Sequence, residues 1–300
     1  MSCFISWLAP LPPYLRALGY HDELRGVQAR GRVSARAWRS HLERSRTFIL
    51  KMAECVPRAR KVVILGSGPL NDVPLEALSA CFERVVLVDV AHLGAACWQA
   101  ACLPNVELVR HDLTGLADRL YRRVRHFQKT GEVFELPQPE TQLLLEDPKV
   151  DLVVSLNLLS QLHICVGEYL DDLRGPDLKH LFSAGTLQAY RQEILRAHLR
   201  YLKRFEQARV SVIADVVRRA WRADGVLEYS ESMLEELPLT LEGERWIWDI
   251  APMGELDPHL RFEHEVVGVP DVHTIVERPS PSQKAHGMRP TPSTEALLSS

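Results

Sequence analysis

KVVILGSGPLNDVP, residues 61–74, decides the reading of this sequence. Its first five residues include a nearly continuous run of Val, Ile and Leu, the pattern of a parallel strand buried on both faces. Gly66-Ser67-Gly68-Pro69 then breaks the run. Two glycines let the chain turn sharply and let a ligand lie against bare backbone, and a following helix offers free N–H groups at its positive end. That helix is expected over residues 73–82, with Asp72 as its N-cap and Pro74 in its first turn. Asp72 therefore reads either as a cap or as a ligand contact.

Working outward, the same alternation recurs. ERVVLVDV (83–90), NVELVRHD (105–112), VDLVVSLN (150–157) and RVSVIADVV (209–217) read as further strands. SARAWRSHLERSRTFILKMAECV, from Ser34, carries apolar residues at helical intervals and is closed by Pro57. Residues 92–103 and 179–207 give two more helices. Strand and helix in this rhythm imply right-handed crossovers and a parallel sheet covered on both faces. ERWIWDIA (244–251) and LRFEHEVVGV (260–269) lack a helix between them, so they pair as an antiparallel hairpin. The expectation is a doubly wound, mostly parallel seven-stranded α/β sheet with a C-terminal antiparallel hairpin, over residues 34–277. Residues 1–33 read as a leader with weak periodicity. Residues 118–149 read as an inserted helix and loop that could cover a site, and 278–300, rich in Pro and Ser, as a disordered tail.

Composition bounds the function. The chain has 300 residues, 36 Lys and Arg against 39 Asp and Glu, and 46% apolar residues. It can bury a sizeable core, and it carries no overall basic field to attract nucleic acid or anionic lipid. Its six cysteines include no CxxC pair, which fits reduced thiols in a cytoplasmic protein and no metal site. No uninterrupted apolar stretch is long enough for a membrane span.

Ligands of open parallel sheets lie beyond the carboxyl ends of the strands. Asp89 ends the second strand, where a carboxylate suits both hydroxyls of a ribose. Asp112 ends the third, and Ser155 and Asn157 end the fourth. Each alone fits a turn or a helix cap equally well. Together, four strand ends at one sheet edge describe a nucleoside pocket.

VVILGSGPLNDVP, VVLVDVAH, VELVRHDLTG and VDLVVSLNLLSQL, in this order, resemble the class I S-adenosylmethionine-dependent methyltransferases, a Rossmann-like family with a closing antiparallel hairpin. The resemblance spans residues 34–270 and implies S-adenosylmethionine as cofactor. It implies that Gly66, Ser67 and Gly68 support the methionine and ribose, and that Asp89 holds the ribose diol. It places Asp112 near the adenine amino group, and Asn157 and Leu158 between cofactor and substrate. Two departures stand out. Ile64 occupies the place of the family's usual acid before the first glycine, and Leu70 that of the third glycine; Asp72 would have to replace the acid toward the cofactor ammonium.

A carbon, oxygen or protonated-amine nucleophile needs a base. His163 is the leading candidate, with His92, Glu168 and Tyr169 beside it and Tyr190, Arg191 and His198 on the long helix. Arg119–Arg125 suits an acidic substrate or a solvated helix face, and Trp246 and Trp248 suit core packing. The expected acceptor is a small molecule or a protein side chain, with the oligomeric state unassigned. Two other readings stay open: a non-catalytic interaction module on the same fold, and an NAD(P)-dependent oxidoreductase, although GxGxxG would require glycine at Asn71.

Overall fold

The run KVVIL becomes β1 (Lys61–Leu65), and in the computed structural model of the protein, described over residues 11–172 and 181–278, it lies inside the main sheet. β2 (Arg84–Asp89), β3 (Val106–Arg110), β4 (Val150–Leu156) and β5 (Arg209–Arg222) join it in parallel, in the order β3-β2-β1-β4-β5. β8 (Glu244–Ala251) and β9 (Leu260–Val269) form the expected hairpin, with β9 antiparallel to both β5 and β8. Seven strands thus follow one path. An eighth, β6 (Leu227–Ser232), pairs with β5 off that path, because β5 runs beyond residue 217 and folds back at Gly225, whose φ is +82°. β7 (Leu239–Thr240) and β10 (Val276–Glu277) make a separate small sheet.

Strand alternation sorts the core into two layers. Val63 and Leu65 of β1 point into one apolar layer and Val62 and Ile64 into the other. The first layer is closed by α1 (Pro13–Ala17), α6 (Ala117–Thr130), α7 (Ile164–Asp172) and α8 (Ala184–Leu202); the second by α3 (Ala35–Glu54), α4 (Leu75–Cys81) and α5 (Gly94–Ala101). Helices on both faces of a mostly parallel sheet make the architecture doubly wound.

Four boundaries differ from the sequence expectation. Residues 1–10 lie outside the described residues, but the rest of the supposed leader forms α1 and α2 (Tyr20–Val33), with Leu15 and Leu18 in the core. α4 starts at Leu75 with Pro74 at its N-cap position, so Asp72 caps nothing. The long helix begins at Ala184, where Ser183 accepts the Thr186 N–H at 3.1 Å; residues 179–180 lie outside the described residues. Within 118–149, α6 is the ordinary crossover from β3 to β4. The segment after it is tied down by Tyr190, whose hydroxyl donates to the Pro137 carbonyl at 2.7 Å, and by Tyr201, whose hydroxyl donates to that of Leu143 at 2.9 Å. The proposed tail from Pro279 onward lies outside the described residues.

His198 joins α8 to the sheet. Its Nε2 lies 2.8 Å from the Ser155 hydroxyl in the core, and burial holds its pKa down to about 3. Above pH 6.5 this residue is neutral in the folded and unfolded chain alike. As the pH falls from 6.5 toward 3 the unfolded chain takes up a proton that the folded chain refuses, so stability is lost by up to about 1.4 kcal/mol per pH unit through this residue. His198→Gln should remove that increment from the slope of stability against pH, read by urea unfolding between pH 7 and pH 4. An unchanged slope would mean the imidazole is not buried and neutral.

Candidate functional site

A turn with two glycines in the left-handed region opens the site. Gly66 has φ +78°, and a Cβ there would come within 2.6 Å of Leu158 Cγ and 2.7 Å of the Leu156 carbonyl, so side chains are excluded on packing grounds. Gly68, at φ +49°, faces the other way: nothing lies within 4 Å of its missing Cβ. The first glycine lets the loop press against β4, and the second leaves bare backbone toward open space. Leu70 keeps a glycine-like φ of +65° where the family would place its third glycine, its buried side chain anchoring the loop in the second apolar layer. Arg46 of α3 donates to the Asn71 carbonyl and fixes the loop from the other side.

The strand-end residues converge on this turn. Asp89 Oδ2 accepts the Gly68 N–H at 2.7 Å and Oδ1 accepts the Val90 N–H at 2.7 Å, so the second strand end and the glycine loop are one structure. Burial pushes the Asp89 carboxyl above its ordinary value. The Ala91 N–H bonds the same carboxylate, so three backbone donors hold Asp89 while acceptor capacity remains for a further donor. Asn157 stands in the left-handed region, at φ +54°, which Asn tolerates better than most side chains. That turn carries its Nδ2 to Asp72 Oδ2, 3.0 Å away, while its own Oδ1 is buried without a partner. Freed from capping α4, Asp72 is half-buried, and desolvation pushes its pKa up to about 6.

Asp112 is more heavily engaged. Its Oδ1 accepts from the Thr114 N–H and hydroxyl, and its Oδ2 from the Ala117 N–H at 2.8 Å, an arrangement that sets the entry of α6.

These groups enclose a cavity of about 380 Å³ lined by Gly66, Gly68, Asp72, Asp89, Asp112, Asn157 and Leu158. Its size falls within the range of small-molecule sites. Ser67 is buried beside it without lining it, so only its backbone belongs to the loop. His163 does not line it either. It lies 2.9 Å from Glu235, and burial lowers its pKa to about 4, so it serves the packing behind α7. His92 sits under the rim with Nε2 3.2 Å from the Val109 carbonyl, and Arg191 pairs with Asp171 at 2.5 Å. No residue of 118–149 reaches the cavity; its outer wall is instead Tyr20, Leu24, Val27 and Arg30 of α2.

Three further residues line the wall beyond the sequence expectation, which assigns no role to Asp215 or His264 and assigns Trp248 to core packing. Asp215 on β5, His264 on β9 and Trp248 on β8 line the cavity from the hairpin side. A charged residue inside RVSVIADVV and a histidine inside LRFEHEVVGV are the only marks Asp215 and His264 leave in the sequence.

No protein-family model matches the chain, and no curated protein matches it. Solved structures similar to it include the N-methyltransferase NodS from Bradyrhizobium japonicum in complex with S-adenosylhomocysteine, at 14% identity over 76% of this chain and 87% of that one, TM-score 0.33. A 1,6-didemethyltoxoflavin-N1-methyltransferase from Burkholderia thailandensis gives 14%, 88%, 93% and 0.36 for the same quantities. A SAM-dependent methyltransferase from Leishmania major gives 12%, 84%, 82% and 0.35. At such identities and scores, any assignment has to stand on the residues of the pocket.

Proposed function

We propose that the cavity binds S-adenosylmethionine and that the protein transfers its methyl group to a small-molecule or protein acceptor. The observation that carries this reading is the 2.7 Å bond from the Gly68 N–H to Asp89, which joins a glycine turn and a strand-end acid on one cavity wall. The closing hairpin beside β5 supports it.

The residues present fit the cofactor. Open space over Gly68 admits a ligand against the backbone, and Asn157, which lines the cavity, holds a buried Oδ1 without a partner. Asp89 would accept the ribose hydroxyls. Asp72 would take the ammonium group in place of the missing acid at position 64, and a cation there would restore the charged form that burial disfavours. Val90 and Leu113, which line the cavity, offer apolar faces to a base, and Asp112 keeps lone-pair capacity on Oδ2 beside them.

Bound S-adenosylmethionine supplies a methyl carbon already activated on a sulfonium. The chain's part is to hold the acceptor in line with the carbon–sulfur bond and to exclude water, and alignment of this kind supplies several kcal/mol of a barrier. The α2 wall and the hairpin wall confine the acceptor between them.

Calorimetry on the purified chain with S-adenosylmethionine, S-adenosylhomocysteine and NAD tests the reading. Saturable binding of the first two, at one site per chain and without NAD binding, is the expected result. Binding of NAD alone would reject it.

A further inference from the structure

We propose that the hairpin side of the cavity takes an alkylammonium acceptor, held by Asp215 among aromatic faces, and that His264 is the base that frees its nitrogen. The inference rests on the methyl-transfer reading above and names the acceptor class for that site.

A break in strand regularity starts the argument. The pairing of β5 with β9 slips between Asp215 and Val217, a bulge of the kind that re-aims side chains beside functional sites. Asp215 is 1% exposed, lines the cavity, and its Oδ1 has no hydrogen-bond partner. His264, 6% exposed, places Nδ1 3.4 Å from Asp215 Oδ2, within ionic reach, yet that nitrogen also makes no hydrogen bond. Trp248 stands opposite His264 in the β8–β9 register, with rings 5.7 Å apart and edge to face, and its buried Nε1 is unpaired too. Buried polar atoms left unpaired cost free energy, and three of them on one cavity wall point to a ligand that completes them. Among the described residues no cluster of His, Cys, Asp and Glu has the makings of a metal site, so an organic ligand is the better fit.

The surrounding charges select its sign. Two carboxylates line this space, Asp215 buried and Asp72 half-buried. Of the cations on the wall, Arg30 pairs with Glu23 at 3.0 Å, and Arg218 lies over the Phe262 ring with Nη1 3.6 Å from Glu231. His41 is neutral: burial lowers its pKa to about 4, and its Nδ1 accepts the Trp246 Nε1–H at 3.1 Å. It stacks on Trp248 at 4.0 Å, and Trp38 meets the same indole edge-on at 5.0 Å. Carboxylate plus indole is the environment that attracts an ammonium group. With Asp72 committed to the cofactor, Asp215 remains for the acceptor. An alcohol can give that charge one hydrogen bond but no ion pair, and a carboxylate is repelled by it.

The step balances. The acceptor enters as R–NH3+, and neutral His264 takes one N–H proton, becoming an imidazolium beside Asp215. The nitrogen lone pair forms the new N–C bond as the C–S bond breaks, and that electron pair stays on sulfur as a neutral thioether. The product leaves as R–NH2–CH3+, so two positive charges stand on each side.

The test uses the full chain saturated with S-adenosylhomocysteine, with 2-phenylethylamine, tryptamine, 2-phenylethanol and 3-phenylpropanoate as probes in calorimetry. At least one amine should bind tenfold or more tighter than the alcohol, and the acid should not bind. Asp215→Asn should weaken the amine tenfold or more and leave the alcohol unchanged. His264→Asn should leave amine affinity within about threefold while lowering kcat for its N-methylation about a hundredfold, with melting temperature reporting that each variant is folded. Alcohol or acid binding as tightly as the amines, no amine binding at all, or an indifferent Asp215→Asn overturns the acceptor class. Unchanged kcat in His264→Asn overturns the base. Loss of the methyl-transfer reading would show separately, as failure of S-adenosylhomocysteine to bind in the first place.

Discussion

Asp89→Ala is expected to weaken S-adenosylhomocysteine binding by about 1–3 kcal/mol, roughly 5- to 150-fold in Kd. The loss has two sources. A bound diol loses its charged acceptor, and the Gly68 N–H loses the carboxylate that holds the turn in shape. The effect on the unliganded fold should be smaller than the effect on affinity. Removing the carboxylate strands the Gly68 and Val90 N–H groups, but it also removes a charge that burial disfavours, and the two changes oppose each other. Calorimetry for affinity and thermal melting for stability separate them. A folded variant with unchanged affinity would place the cofactor somewhere else.

The glycine loop was legible because its chemistry is local: β1 has to be buried, and the chain has to turn at Gly66. Asp89 was legible because it stands at a strand end, the place where topology puts ligands. Asp72 was half legible. Its residue type suits a cap, but Leu70 adopts a left-handed φ and delays α4 to Leu75, which hands the carboxylate to Asn157 instead. His163 shows the limit of counting along the chain. It follows Asn157 closely, yet it turns away from the cavity toward Glu235, because the face α7 presents is decided by packing that spacing does not encode. Asp215 and His264 were illegible for a different reason. They sit inside strands whose apolar pattern describes core, and only the β5 bulge and the hairpin register bring them to one wall.

The mostly parallel, doubly wound sheet and its closing hairpin were readable from alternation, whereas the order of the strands and the amino-terminal helices were not. α2 contains Gly26 and Gly31, is rich in Arg and buries no residue completely, so it lacks the apolar stripe that announces a packed helix. Its place comes from tertiary contact. α1 inserts Leu15 and Leu18 into the layer that also holds Leu120 and Val124 of α6, and α2 then runs across the cavity mouth.

Deleting residues 1–33 is therefore expected to do what removing a dispensable leader would not. Leu15 and Leu18, 2% and 3% exposed, each contribute about 1.5–3 kcal/mol of burial, so the truncated chain should lose about 3–6 kcal/mol of stability. For a domain of this size that lowers the melting temperature by on the order of ten degrees. Loss of Tyr20, Leu24, Val27 and Arg30 opens the cavity to water, so S-adenosylhomocysteine affinity should fall as well, even at temperatures where the sheet stays folded. Leu18→Ala in the full chain isolates the first effect. It should cost about 2–5 kcal/mol in urea unfolding and leave affinity nearly unchanged, because Leu18 packs in the core and does not line the cavity. A truncated chain that melts and binds like the full one would return residues 1–33 to the role of a leader, and with it would go the claim that the amino terminus forms one wall of the site.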